Sequence, residues 1–499
     1  MSQTITPALP KLFQPVQVGD LHLAHRIVLA PLTRMRANNK HVHGDIAVQY
    51  YSQRASVPGT LLITEATYIA PWAGSISVNI PGVWNEDQIA AWKRVADAVH
   101  AKGSYIFMQI WAIGRATELE ELAKDGDYPY LAPSAIPLKG RDIAPRAMTV
   151  DEIKQHVKGF ATAAKNAVFG AGFDGVEIHS AHGYMLDQFL QSYTNLRTDD
   201  YGGSPEKKCR FPLEVVDAVI KAVGAKRTAV RMSPWSAYND VAVTDQIPTF
   251  SHFVTRLAEE HPDLAYIHLV QPGLSGTDDK DIEEGESNDF IRKIWLPRTL
   301  ISAGRYTRET AIERAEETGE LIAFGRRFLA NPDLPIRLRE NLPLQGWSRE
   351  VYYTAEDPHG YVDYPTYEES LKKEFKASKL VLKLATELKH VPPISELRFG
   401  QSMTDHMIFA TYDPVKGWSA PEIRPYGPLT FEPATSCLQY ATVAFEGMKA
   451  YLGPEGEARL FRPEDNMARF ARSAARLALP LFNHGELLKL LKTLVKIER

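Results

Sequence analysis

Gly170-Ala171-Gly172-Phe173-Asp174-Gly175 matches the pattern G-x-G-x-x-G letter for letter, and its place among the neighbouring elements decides the fold. In a dinucleotide-binding unit such glycines follow a strand and open a helix whose first amides hold a pyrophosphate. Here they follow a helical period, Ile153, Val157, Phe160, Ala164 and Val168, opened by a Thr149/Glu152 capping box, and they precede a β-rich run at 175–179. The stretch is therefore an αβ turn. Outward from it, short β-rich apolar runs recur at 26–30, 60–64, 104–110, 228–232, 266–270, 299–302 and 321–324. Helical periods such as Ile89, Trp92, Val95, Ala96 and Val99 separate several of them. Eight strands alternating with helices predict an α/β fold closed into a (β/α)8 TIM barrel rather than an open doubly wound sheet.

The 499 residues exceed one such barrel. Hydrophobic residues at 44% and charged residues at 24% are ordinary globular values, which excludes a disordered or collagenous chain. A net charge of -4 gives no field for capturing nucleic acid or an anionic membrane, and no run of 18 apolar residues suggests a membrane span. Two distant cysteines, Cys209 and Cys437, match no thiolate metal spacing and predict free thiols in a reducing, cytoplasmic setting. Charge is uneven along the chain. From Lys372 onward 19 basic residues face 14 acidic ones, so that stretch carries +5 and the rest -9. The expected division is a barrel over 1–371, a linker over 372–393 and a smaller α+β piece over 394–499.

Barrel active sites lie at the C-terminal ends of the strands, and residues with useful chemistry gather there. Thr33 and Arg34 follow the first run; Gln109, Trp111 and Arg115 end the third; His179, His182 and Tyr184 follow the fourth; Arg231 ends the fifth. Gly304, Gly325 and Arg326 end the last two, where barrels commonly hold a phosphate, although turn glycines and a surface arginine would look the same. His179 and His182 have a metal-like spacing, but only Asp187 is near as a third ligand and no H-E-x-x-H frame is present, so no metal is expected. Packing histidines are the plainer alternative. With a tyrosine two places on, the pair reads better as neutral donors aimed at a carbonyl oxygen. Tyr184, protonated at neutral pH, can serve as a general acid.

The stretch 175–184, Gly-Val-Glu-Ile-His-Ser-Ala-His-Gly-Tyr, with Asp187-Gln188-Phe189-Leu190 and Arg197-Thr198-Asp199-x-Tyr201-Gly202-Gly203-Ser204, resembles the old yellow enzyme family of FMN-dependent ene-reductases. Further matching stretches include Ala30-Pro31-Leu32-Thr33-Arg34, Gln109-x-Trp111-x-x-Gly114-Arg115, Asn331-Pro332-Asp333-Leu334 and Gly360-Tyr361. The resemblance implies that Thr33 bonds the flavin and tunes its potential, that Gln109 and Arg231 hold the pyrimidine edge, and that Gly304, Gly325 and Arg326 hold the phosphate. It also implies that His179 and His182 bind the activating oxygen of an α,β-unsaturated carbonyl or nitro compound. Hydride then comes from flavin N5 and a proton from Tyr184. Trp111 and Tyr353 would be pocket walls, and NADPH, or less often NADH, the reductant. Arg305 departs from the family pattern, as a phosphate contact or an outward-facing side chain. A small-molecule enzyme, monomer or homodimer, is the expectation; a flavin-binding scaffold without turnover, or a fusion that recruits a partner, is the alternative.

From about Phe399 the pattern changes. Phe399-Gly400, Thr404-Asp405-His406-Met407, Phe445-Glu446-Gly447-Met448-Lys449 and Asn466-Met467-x-Arg469 resemble the N-terminal part of branched-chain amino-acid aminotransferases, which use pyridoxal phosphate. By that resemblance Tyr440 and Phe445 would line a substrate pocket and Arg469 would meet the cofactor phosphate. The Schiff-base lysine belongs to a later domain of that family and is not Lys449, so no transamination is expected. The final helix, with Leu487, Leu488, Leu490, Leu491, Leu494 and Val495, is expected to leave apolar surface uncovered.

Overall fold

The computed structural model describes residues 9–241, 245–276, 278–372, 376–390, 392–396, 398, 400–413, 417–480 and 482–498. Eight strands carry the first part of the chain: β1 Ile27–Leu29, β2 Leu61–Ile63, β3 Tyr105–Trp111, β4 Gly175–Ser180, β5 Thr228–Met232, β6 Tyr266–Val270, β7 Leu300–Ala303 and β8 Leu321–Phe324. They pair in parallel in the order β2-β1-β8-β7-β6-β5-β4-β3, and a final β3–β2 pairing closes the ring. Each expected run became a strand of this barrel, with ends shifted by a residue or two.

Helices α1 Asp45–Arg54, α2 Glu86–His100, α3 Val150–Lys165, α4 Pro205–Val223, α5 Gln246–Glu260, α6 Asp289–Trp295 and α7 Arg308–Thr318 alternate with the strands. The expected cap of α3 is present: Thr149 Oγ1 accepts from Glu152 N, and the Glu152 carboxylate accepts from Thr149 N. Such a box satisfies two of the amides a helix start leaves without partners. After α3 and a π-turn, Gly172 takes φ +78° and the chain enters β4 at Gly175. A Cβ on Gly175 would lie 2.4 Å from the Phe107 ring and 2.6 Å from Arg227 O, so this glycine serves close strand packing. The G-x-G-x-x-G letters are thus a helix-to-strand turn.

The barrel interior is filled by alternate residues of neighbouring strands, including Val28, Ile63, Phe107, Ala229, Tyr266, Ile301 and Ala323. An N-terminal hairpin, Val16–Val18 with Leu21–Leu23, adds Val18 and Leu23 to that cluster. Burying each Val, Ile, Leu or Phe side chain of this kind contributes about 1.5–3 kcal/mol. Above this apolar layer the interior turns polar, because Gln109, Glu177, His179, Arg231 and His268 face inward.

The chain folds as two compact units, 1–341 with 347–364, and 342–346 with 365–499. The division therefore falls at Tyr364/Pro365, ahead of the 371/372 boundary drawn from charge. Nor is the stretch 372–393 a plain linker: within it β9 Val381–Leu382 pairs in parallel with β11 Glu422–Pro425, whose other edge pairs antiparallel with β10 His406–Phe409. The charge count missed this strand because two residues carry too little pattern. A hairpin follows, β12 Ala450–Leu452 with β13 Ala458–Leu460, then the helices α8 Pro463–Arg476 and α9 His484–Ile497. Leu488 and Leu490 of α9 are buried, whereas Leu487, Leu491, Leu494 and Val495 stay half-buried. Phe399, where the second resemblance begins, lies outside the described residues.

Candidate active site

Parallel pairing aligns the strand ends, and the register decides which side chains meet. Gln109 lies opposite Glu177, His179 opposite Arg231, and Arg231 opposite His268. Over these ends lies a cavity of about 800 Å3. The structure brings Thr33, Gln109, Trp111, His179, His182, Tyr184, Arg231, Gly304, Gly325, Arg326 and Tyr353 to its walls. Arg305 lines it too, beside Gly304.

The loop after β4 is built around hydrogen bonds. His182 has φ +55°, a left-handed conformation that costs about 1–3 kcal/mol for a residue with a side chain. It is held there on three sides: His182 N donates to Ser233 Oγ at 2.7 Å, His182 O accepts from Asn239 Nδ2 at 2.9 Å, and Nδ1 lies 3.3 Å from Ser236 Oγ. Below it Asp187 Oδ2 accepts from Gly183 N at 2.8 Å and Oδ1 from Gln191 Nε2 at 3.0 Å. Asp187 thus braces the loop and does not join the two histidines. Burial raises its carboxyl to about 7, the two accepted bonds opposing.

Tyr184 stands with its ring edge-on to Trp111 (centroids 4.5 Å apart) and to His179 (5.2 Å). Burial, reinforced by Tyr238 and Tyr68, pushes its phenol well above the usual value, so the proton stays on oxygen. Burial and the Arg231 charge drive His179 and His182 well below the ordinary histidine value, so both rings are neutral at pH 7. His179 Nδ1 accepts from Ala181 N at 3.3 Å, which puts the ring proton on Nε2 as a donor. One phenol and two neutral imidazoles can polarise a carbonyl oxygen and deliver a proton, and none of them carries charge into the cavity.

Arg34 and Arg115, also counted at strand ends, are engaged elsewhere. Arg34 Nη2 donates to Gly360 O at 2.6 Å, and Arg115 Nη2 donates to Asn239 O at 2.7 Å, fixing the loops above the barrel. Sequence reasoning missed Glu177, Tyr238, Trp347 and Asp279. Glu177 had a signal, since it shares the inward face of β4 with His179 two residues on. Tyr238 sits in a short 3-10 turn, Asp279 in a two-residue strand and Trp347 on a loop, none long enough to carry a period. Asp279 Oδ1 accepts from Arg326 Nη2 at 2.5 Å and has Arg305 Nε 3.9 Å from its other oxygen.

The residues present fit a flavin mononucleotide. Arg231 is 9% exposed and its Nε has no hydrogen-bond partner, which a planar polar ring edge at the cavity floor would satisfy. At the ends of β7 and β8 the backbone is bare: a Cβ on Gly304 would come 2.7 Å from Gln271 Cβ, and one on Gly325 3.2 Å from Leu32 Cδ2. Three arginines, Arg305, Arg326 and Arg327, line the cavity there and match a phosphate in charge.

In the second unit the expected site residues are not gathered into a pocket. Tyr440 is 80% and Phe445 82% exposed. Phe445 and Arg469 share a shallow cleft of about 460 Å3 that Tyr440 does not line. Arg469 pairs with Glu446, Nη2 to Oε1 at 2.5 Å. That contact fixes its guanidinium.

Residues 11–345 match the NADH:flavin oxidoreductase / NADH oxidase family. The NADP-dependent oxidoreductase lnbE of Aspergillus flavus is 45% identical over 368 residues, 72% of this chain and 96% of that protein. A protein of Claviceps fusiformis named probable inactive dehydrogenase easA is 42% identical over 378 residues, 73% of this chain and 96% of its own length. Among solved structures, old yellow enzyme from Pichia sp. AKU4542 is similar with a TM-score of 0.66 at 39% identity, covering 72% of this chain and 94% of that one.

Proposed function

Because the chain belongs to the NADH:flavin oxidoreductase / NADH oxidase family, we propose that its barrel reduces the C=C bond of α,β-unsaturated carbonyl or nitro compounds. Membership makes FMN the cofactor and a nicotinamide nucleotide, NADPH or NADH, the reductant. The observation that carries the reading is the Tyr184 phenol, kept protonated and in ring contact with His179 inside the cavity. FMN, when bound, supplies the hydride. The chain's own residues do the rest. His179 Nε2 offers a neutral donor to the substrate oxygen, and His182, whose Nδ1 faces Ser236, offers a second. Tyr184 Oη carries the proton for the α-carbon, and Trp111, stacked on His179 at 5.6 Å, shields that side of the pocket. In this reading Thr33, Gln109 and Arg231 meet the flavin ring, Gly304, Gly325 and Arg326 its phosphate, and Tyr353 a pocket wall.

The test is a visible spectrum of the purified chain. A yellow protein should bleach with NADPH and recover its colour on adding 2-cyclohexenone. A colourless chain that takes up no FMN overturns the reading. The name of the Claviceps relative favours a second one, a barrel that holds flavin without turnover. Flavin that NADPH bleaches and no enone restores would decide for it.

For residues 394–499 we propose an aminotransferase-like fold in which Lys449 forms no Schiff base. The 445–449 motif and the Glu446 contacts to Arg469 and Asn466 support this reading. Added pyridoxal phosphate should give no Schiff-base absorption attributable to this unit; a stable band lost on Lys449→Ala would refute it. A cytoplasmic monomer or homodimer completes the reading; among the described residues no helix is long and apolar enough to cross a membrane.

A further inference from the structure

Glu177 is fully buried in the barrel, two residues before His179 on β4, where strand alternation turns both side chains inward. Gln109 Nε2 donates to Glu177 Oε1 at 2.7 Å and His268 Nδ1 to Oε2 at 2.9 Å. Burial alone would raise this carboxyl, but His268, Arg231 and the Gln109 bond outweigh it, and the group is ionised. An ionised carboxylate only accepts hydrogen bonds. It therefore selects one orientation of the Gln109 amide, with Nε2 toward Glu177 and Oε1 left for the cavity.

Arg231, on the neighbouring strand, faces the same cavity with Nε unpartnered. A ligand entering here meets an acceptor, Gln109 Oε1, together with a donor, Arg231. That pair complements a planar imide edge, an N–H next to a C=O, and nothing with two adjacent acceptors. A carboxylate left unpaired at such depth is strongly destabilising, so its partners are part of the design of this layer.

We propose that Glu177 is a positioning residue of the flavin site: it locks Gln109 as an acceptor and offsets the Arg231 charge, and so sets both the strength of FMN binding and the ease of its reduction. The proposal rests on the FMN reading of the cavity. Its signature is a difference between two substitutions. Glu177→Gln removes the charge and lets Gln109 turn, since an amide at 177 both donates and accepts. FMN should bind roughly tenfold more weakly. With a negative charge gone the site is more positive, and the bound flavin's midpoint potential should rise by about 30 mV, tenfold in a two-electron equilibrium. Glu177→Asp keeps the charge and shortens the reach to Gln109, so affinity falls while the potential stays near that of the parent.

The measurements are FMN titration of the apoprotein and potentiometry of the loaded protein. E177Q that folds and keeps both parental values overturns the proposal. So does an equal shift in potential in E177Q and E177D, which would mark a packing effect only. Should E177Q not fold, E177D with undiminished FMN affinity overturns it alone. If the unsubstituted chain binds no FMN, the cavity reading itself has failed, which is a separate result.

Discussion

The two units of this chain handle their aromatic and charged side chains in opposite ways. In the barrel unit Trp92, Trp111, Trp295, Arg34, Arg54 and Arg115 are buried to within 1% of complete, and each of the three cations donates to backbone carbonyls. In the second unit Tyr440, Phe445, Leu452 and Phe461 are 69% exposed or more, and the buried apolar side chains reduce to Pro421, Ile423, Pro463, Met467, Ala474, Leu488 and Leu490 among the described residues. A site needs groups held in place by a packed surround that lowers the local dielectric. The barrel supplies this and shifts the proton affinities of Tyr184, His179 and His182 accordingly. The second unit holds Arg469 and Phe445 at its surface, where the same residue types have no such leverage.

The sharpest way to break this contrast is Tyr184→Phe. Loss of the general acid should cut enone reduction by about 10^2–10^4-fold. Bleaching of the flavin by NADPH should be unchanged, because that half-reaction takes no proton from the phenol. Stopped-flow measurement of the two half-reactions separates them; equal losses in both would remove Tyr184 from its assigned role.

Next in size is a pair of glycine substitutions. Gly175→Ala drives a methyl into Phe107 and Arg227 O, and overpacking of that kind costs about 1–3 kcal/mol. Gly427→Ala in the second unit meets nothing within 4 Å and should stay within about 0.5 kcal/mol. Urea unfolding followed by tryptophan fluorescence checks both, and equal effects would erase the difference between the units.

A smaller, pH-dependent effect belongs to Asp187. Its folded-state value near 7 lies above the ordinary carboxyl value, so the folded chain holds a proton that the unfolded chain has released. Stability from this group is complete below about pH 4 and is lost as pH rises toward and through 7. Asp187→Asn removes that dependence. The variant should gain thermal stability relative to the parent at pH 8 compared with pH 5, and a constant difference across that range would show that Asp187 is ionised throughout.

Smallest of all, Phe445→Ser should leave FMN binding and enone reduction within twofold, since its side chain is already 82% exposed. A larger loss would show that the second unit takes part in the barrel's chemistry.

Much of the barrel was legible in the sequence because its information is local. β-rich runs, the Thr149/Glu152 cap and the position of the glycines after a helix each follow from short-range sterics and hydrogen bonding. The parts that were not legible are those that arise between strands. Glu177 is one inward residue among many until the register sets Gln109 opposite it and brings His268 within reach. Tyr238 and Asp279 come to the cavity on a short turn and a two-residue strand whose course only the packed structure fixes. Asp187, a conceivable metal ligand by spacing, became a brace once Gly183 and Gln191 turned toward it.

The sequence by itself determined the alternation of strand and helix, the family and the residue types gathered at the strand ends, because hydrophobic period and capping act within a few residues. Only the tertiary structure decided that β9 joins the second unit, that burial pushes the Tyr184 phenol up and the two histidines down from their ordinary values, and that a buried carboxylate fixes the face Gln109 shows to a ligand. Those outcomes depend on burial and on partners distant in the chain, which come together only when the barrel closes.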